Sequence, residues 1–206
     1  MYDQPVKDAT AFVLAGGKSS RMGTDKALLA WGGGTLLSHM VQMAGRVAST
    51  VHIVGQSEKF SSLGTVVEDL FRDCGPLGGI HAALSTTSSD LNLILAVDLP
   101  FLSATFLEFL LAKARETDAL VTVPRTDGRW QPLCAVYRRG FAGLAEQSLS
   151  HGKYKIDPLF ATVKTRVIDE SELGQAGFST EIFRNVNTPE EFNEAREKTA
   201  NPDHRL

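Results

Sequence analysis

Residues Leu91 to Asp98 read LNLILAVD, an almost unbroken apolar run that ends on a single acid. Apolar at nearly every position, it reads as a strand from the middle of a parallel sheet, buried on both faces rather than on alternate residues. Outward from it, Ala11 to Ala15 reads as another buried strand, stopped by Gly16-Gly17, and Val51 to Val54 and Thr65 to Val67 as two more. Between them Leu36, Leu37, Met40, Val41 and Ala44 form the stripe of an amphipathic helix. Ser103 is placed to cap a helix that turns Phe106, Leu107, Leu110 and Leu111 inward. Strands are expected over Ala119 to Val123, Pro132 to Tyr137 and Arg166 to Ile168, with a helix near Ala142 to Leu149. Thr188-Pro189-Glu190-Glu191 carries a cap, a first-turn proline and a capping-box acid, and opens the last helix. Strands alternating with helices imply an α/β three-layer sandwich with a mostly parallel sheet.

The 206 residues suit one domain over 1–206, with a core from about residue 11 to 199 and a frayed tail from Asn201 to Leu206. At 43% apolar, 22% charged and a net charge of −3, the composition excludes general disorder and argues against a nucleic-acid-wrapping protein. No run reaches the ~18 apolar residues of a membrane span, and the first residues lack the apolar stretch of a secretory signal. Cys74 and Cys134 have no paired spacing, so reduced thiols in a cytoplasmic protein are expected, with Cys134 packed in an apolar strand.

Ligands of such sheets bind beyond the carboxyl ends of the strands, which directs attention to three loops. The first, after Leu14 and Ala15, holds Gly16 and Gly17, then Lys18, Arg21 and Lys26. Bare N–H groups and three cations there either wrap a nucleotide's phosphates or form a solvated turn. It is not a Walker A loop, whose first glycine would fall on Phe12, and it contains no GxGxxG. The second loop opens with Glu68-Asp69, Asp69 serving ribose or base recognition or a local bond. The third opens with Asp98, which is costly to bury alone. Its partner is either Mg²⁺, which takes one or two carboxylates plus substrate phosphates, or the amides of the following helix or loop. Gly75-Pro76-Leu77-Gly78-Gly79-Ile80 reads as a ligand-approaching loop that enters a short helix over His81 to Leu84, His81 being a helix-surface or packing residue rather than a base or ligand. No nucleophile constellation occurs, and the set suits phosphoryl-type transfer by positioning and charge neutralisation.

Five motifs in order, LAGGKSSRMGTDKALL, GPLGGIHAAL, AVDLPFL, QPLCAVY and NVNTPEEF, closely resemble the molybdenum cofactor guanylyltransferases, from Leu14 to Phe192. The resemblance implies a Rossmann-like nucleotide-diphospho-sugar transferase fold. It also implies the reaction of GTP with molybdopterin to give the guanine dinucleotide cofactor and pyrophosphate, with Mg²⁺. On that basis Leu14, Ala15, Gly16, Gly17, Lys26, Asp69, Gly78 and Asp98 are the expected GTP contacts, and Asp98 the metal ligand. Arg21, Asn185 and Asn187 are the expected pterin contacts, and Asp98, Lys26 and Arg21 the catalytic set. Asn185 and Asn187 equally suit a turn before the Thr188 cap. Where some relatives carry asparagine after the second strand, this chain has Gly55.

The alternatives are a cytidylyltransferase or sugar-phosphate nucleotidyltransferase, whose relatives commonly read LAAG, and a GTP-binding module without turnover. Transient contacts with cofactor-donating and molybdoenzyme proteins are expected, and none with nucleic acid or membrane. The polar stretch Arg125 to Trp130 is read as a loop or lid, with Trp130 either exposed for docking or in the core.

Overall fold

The computed structural model describes residues 8–16, 25–71, 73–186 and 188–200. The tail from Asn201 lies outside them. In chain order the elements are β1 (Ala9–Leu14), β2 (Ala30–Trp31), β3 (Gly34–Thr35), α1 (Leu36–Val47), β4 (Thr50–Val54), α2 (Ser57–Phe60), β5 (Val66–Val67) and α3 (Pro76–Thr86). They continue with β6 (Leu91–Ala96), α4 (Ala104–Arg115), β7 (Val121–Thr126), β8 (Arg129–Trp130), β9 (Cys134–Arg138), α5 (Phe141–Ser150), α6 (Asp157–Phe160), β10 (Thr165–Ile168), α7 (Glu170–Gln175) and α8 (Pro189–Ala200).

The main sheet runs β10-β7-β9-β6-β1-β4-β5, with β8 attached to β7. β1 lies parallel between β6 and β4, with Val13 opposite both Leu95 and Ile53. β9 runs against β6 and β7, so the sheet is mixed but mostly parallel, as the alternating pattern implied. All six residues of β1 and of β6 are buried. Their side chains alternate between two apolar layers. Ala11, Val13, Leu93 and Leu95 face Leu36, Met40, Leu107 and Phe192. Phe12, Leu14 and Ile94 face Leu77, Ile80, Phe141 and Phe160. No described helix is long and apolar enough to cross a membrane.

The helix starts follow the local chemistry. Ser103 Oγ accepts from Phe106 N at 3.2 Å. Thr188 and Glu191 exchange side-chain-to-backbone bonds at 3.2 and 3.1 Å, which completes the predicted capping box. α1 carries a second box between Thr35 and Ser38.

Three expectations are revised. The stretch Arg125 to Trp130 is a β-hairpin, β7–β8, whose two turn residues Asp127 (φ 49°) and Gly128 (φ 71°) take the left-handed conformation that Asp-Gly favours between paired strands. Trp130 is half-buried, its ring 5.1 Å from Phe160 and stacked 5.0 Å under the Arg125 guanidinium. The strand expected from Pro132 starts at Cys134, because proline donates nothing to a ladder and Cys134 N instead closes a turn onto the Gln131 carbonyl at 3.0 Å.

The third concerns Gly75 to Ile80. The helix there begins at Pro76 and is longer than expected, with Gly78 and Gly79 buried inside its first turns. They serve packing: a Cβ on Gly78 would lie 2.9 Å from the Phe71 carbonyl oxygen, and one on Gly79 3.2 Å from Leu14 Cδ2. His81 is 4% exposed, against the Phe71 ring and Ser85, which selects packing over the helix surface.

In an open helix, glycine to alanine gains about 1 kcal/mol. Gly78→Ala is expected to reverse that sign and cost about 1–3 kcal/mol, because the obstructing atom is backbone. Urea unfolding of the variant measures it, and a gain in midpoint would refute the packing role.

Candidate functional site

The carboxyl ends of β1, β4, β5 and β6 meet along one edge. Ala15 N donates to the Val54 carbonyl at 2.9 Å, Gly55 N to Val67 at 3.0 Å and Val97 N to Leu14 at 3.1 Å, so the ladders continue to the rim. Gly16 leaves the sheet beside Gly55, its Cβ direction 3.9 Å from the Gly55 Cα. An asparagine at position 55 would press its Cβ to within 2.9 Å of the Phe60 ring. Glycine leaves only backbone at position 55 for the contact that the family resemblance implies there.

Asp98 stands just past the buried end of β6, its carboxylate Oδ2 3.2 Å from Lys26 Nζ. The two side chains are only 20% and 12% exposed. The sequence offered a metal or local amides as its partner. In the structure a cation 72 residues away meets it, and Ser103 alone caps the following helix. Lys26 begins a 3-10 turn over Lys26–Leu28, capped by Asp25 through Ala27 N at 3.2 Å. Asp25 also holds Lys59 of α2 at 3.2 Å, and Glu68 accepts from Ser57 N at 3.0 Å at the start of α2. The paired acids Glu68-Asp69 thus divide: Glu68 anchors α2, and Asp69 faces inward.

Asp69 is half-buried, and its Oδ1 has no hydrogen-bond partner among the described residues. Its Oδ2 lies 3.9 Å from the Cβ direction of Gly78. Burial pushes its carboxyl pKa up. A carboxylate oxygen shielded from water without a donor is costly, and it points to a donor that arrives with a ligand. On the opposite flank the Asp98 carbonyl accepts from Val186 N at 3.1 Å, which ties the exposed Asn185 to the same rim. His39, on α1, is held toward its neutral form by burial, against the opposing hydrogen bond to the Pro100 backbone, and it braces the Asp98-Leu99-Pro100 loop from below.

The edge therefore gathers Leu14, Ala15, Gly16, Lys26, Asp69 and Asp98, with Asn185 adjoining. Gly78 lies behind Asp69, its N–H engaged by the Gly75 carbonyl at 3.1 Å. Gly17, Lys18, Arg21 and Asn187 lie outside the described residues. Lys59 and Asp25 escaped sequence reasoning, because nothing local links a helix lysine to a loop 34 residues earlier.

Among the described residues no three His, Cys, Asp or Glu side chains are grouped to hold an ion. One hard oxygen donor, neutralised by a lysine, does not suit a resident metal. It does fit Mg²⁺ that arrives with a triphosphate supplying most of its ligands.

The mostly parallel sheet and its carboxyl-edge site are those of an α/β nucleotidyltransferase, the class that the comparisons with known proteins give. The chain belongs to the MobA-like NTP transferase family, whose domain model matches residues 11–165. A protein of Carboxydothermus hydrogenoformans named probable molybdenum cofactor guanylyltransferase is 35% identical over 91% of this chain and 94% of its own. One of the same name from Pelotomaculum thermopropionicum is 36% identical over 91% and 92%. The crystal structure of molybdopterin-guanine dinucleotide biosynthesis protein A from Archaeoglobus fulgidus superposes with a TM-score of 0.81, at 25% identity, over 93% of this chain and 98% of that one. The nucleotide-diphospho-sugar transferase fold implied by the motifs is the fold observed.

Asp69→Asn should stabilise the free protein at neutral pH by about 1 kcal/mol, roughly 2–4 °C in Tm for a domain of this size. The raised pKa means that the acid's cost is absent below the ordinary carboxylate range, grows as pH rises from that range to the folded-state value, and is fully present above it. The Tm difference between variant and wild type should accordingly shrink toward zero in acid. Equal melting at pH 7 would show that Asp69 is not strained.

Proposed function

We propose that the protein transfers GMP from GTP to molybdopterin, giving molybdopterin guanine dinucleotide and pyrophosphate, as a cytoplasmic one-domain enzyme. The observation that carries this reading is the Lys26–Asp98 pair at the end of β6, close beside the glycine exit of β1. Farther along the same edge Asp69 offers an oxygen with no partner among the described residues, and the family and the names of its relatives supply the substrates.

In this reading the nucleotide lies over Leu14, Ala15 and Gly16, with Gly17 adjoining. Asp69 accepts from its sugar or base, and Gly78 leaves that acid room. The acceptor's terminal phosphate oxygen attacks the α-phosphorus in line; the new P–O bond forms as the α–β bridge breaks, and pyrophosphate departs with the electron pair. A phosphate monoester is largely ionised near neutrality, so no strong base is required. Lys26 leaves Asp98 for the phosphates and stabilises the charge that shifts onto the leaving group. Arg21 meets the acceptor phosphate, and Asn185 and Asn187 offer amides to the pterin. Asp98 would hold Mg²⁺, which neutralises phosphate charge when bound. The product then passes to a molybdoenzyme through transient docking.

Pyrophosphate release that requires both GTP and molybdopterin tests the assignment, and preferential competition by CTP would move it to a cytidylyltransferase. Asp98→Asn should lower turnover by ~10²–10³-fold or more while keeping the fold, seen as a single cooperative melting transition; near-normal activity at saturating Mg²⁺ would remove Asp98 from its role. Lys26→Met should act in two directions. GTP affinity falls about 10–100-fold, the worth of one charge-assisted bond. Mn²⁺ binding by the nucleotide-free protein, read by electron paramagnetic resonance, tightens because the competing ammonium is gone. Mn²⁺ binding no tighter than wild type would refute the exchange of partners at Asp98.

A further inference from the structure

The motif QPLCAVY, Gln131 to Tyr137, has no part in the chemistry described so far. Its first four residues form a turn on the same carboxyl edge, and that turn is held from every side. Gln131 N donates to the Pro124 carbonyl at 2.9 Å, and Cys134 N to Gln131 at 3.0 Å. The fully buried Tyr137 spends its hydroxyl on the Pro132 carbonyl at 2.9 Å. Ala96 N donates to the Leu133 carbonyl at 2.7 Å, and two residues beyond Ala96 stands Asp98. The Gln131 side chain is half-buried, and its Nε2 donates to Thr126 Oγ1 at 2.9 Å, Thr126 being 4% exposed. Among the described residues nothing donates to Gln131 Oε1, and the second Nε2 hydrogen is unspent.

The sheet order then assigns sides. From Asp98 at the end of β6, the strands β1, β4 and β5 lead to Asp69, and β9 and β7 lead the other way to Gln131. With the nucleotide spread from Asp98 toward Asp69, the second substrate has the β9 side. Its phosphate must reach the α-phosphorus near Asp98, so its ring lies over this turn. A clamped carboxamide offers one acceptor and one donor side by side, the complement of the adjacent N–H and C=O groups of an aminopyrimidinone. Resting on the function proposed above, we propose that Gln131 is a specificity-determining residue that hydrogen-bonds the aminopyrimidinone edge of the acceptor. Its anchorage fixes the amide before the substrate arrives.

The test compares Gln131→Leu with Thr126→Val in acceptor KM, kcat and GTP Kd, and in the quenching of pterin fluorescence on binding. Gln131→Leu should raise KM for molybdopterin about 10–100-fold, the loss of two hydrogen bonds, with GTP Kd within about two-fold of wild type. Thr126→Val removes the clip but keeps the amide, and should shift KM far less. An equal shift in both variants would make the amide a hairpin clip only, and an acceptor KM in Gln131→Leu within about two-fold of wild type would overturn the proposal outright. If the wild type turns over but Gln131→Leu matches it, this inference alone fails. If the wild type neither quenches the pterin nor releases pyrophosphate, the function itself fails with it.

Discussion

A carboxylate placed at the end of a fully buried strand must find a counter-charge, and most of the edge is arranged around that need. β6 delivers Asp98 to a site where water has limited access, so an unpaired ion would be expelled or protonated. Lys26 meets it across 72 residues of sequence. Holding that lysine in place requires a second pair, because a long flexible side chain loses entropy when it is fixed. Asp25 caps the Lys26 turn and is itself held by Lys59, while Glu68 pins the start of the helix that carries Lys59. The result is a chain of alternating charges running from β6 to β5 around the glycine exit of β1.

Much of the fold was legible because local rules and tertiary demands agree. LNLILAVD cannot sit anywhere but mid-sheet, and the Ser103 and Thr188 caps do in three dimensions what their spacing says. The misreadings share one cause: composition was taken for conformation. Asp127-Gly128, set among polar residues, looked like a loop, although that dipeptide is a strong hairpin signal. Gly78 and Gly79 looked like a loop that lets the backbone approach a ligand, whereas each is small because a carbonyl or Leu14 occupies the space a side chain would need. The strand at β9 started late because Pro132 cannot donate.

The site was legible by residue type but not by partnership. Asp98 and Asp69 stand out in sequence as acids just past strand ends, and Lys26 as a cation in the loop after β1. That the first two meet, and that the third is left without a donor, depends on which strands are neighbours. No periodicity carries that information. Lys59 was invisible for the same reason, since an exposed helix lysine looks like any other until Asp25 is brought beside it.

The two acids at this edge are treated in opposite ways, and the contrast bears on how a site can be ready for its ligand yet stable without it. Asp98 is neutralised internally, so the free protein does not carry a bare carboxylate at the end of a fully buried strand. Asp69 is left with a shielded, donorless oxygen, a modest destabilisation that a bound donor would relieve. A site built only of satisfied groups would gain little differential free energy from its ligand, and one built only of orphans would strain the fold. In the proposed reaction, dividing the roles would let Lys26 change partners at nearly constant charge while Asp69 supplied the gain. The division also follows the topology: the orphan lies at the short edge strand β5, where the fold can yield, and the pair at the central strand β6, where it cannot.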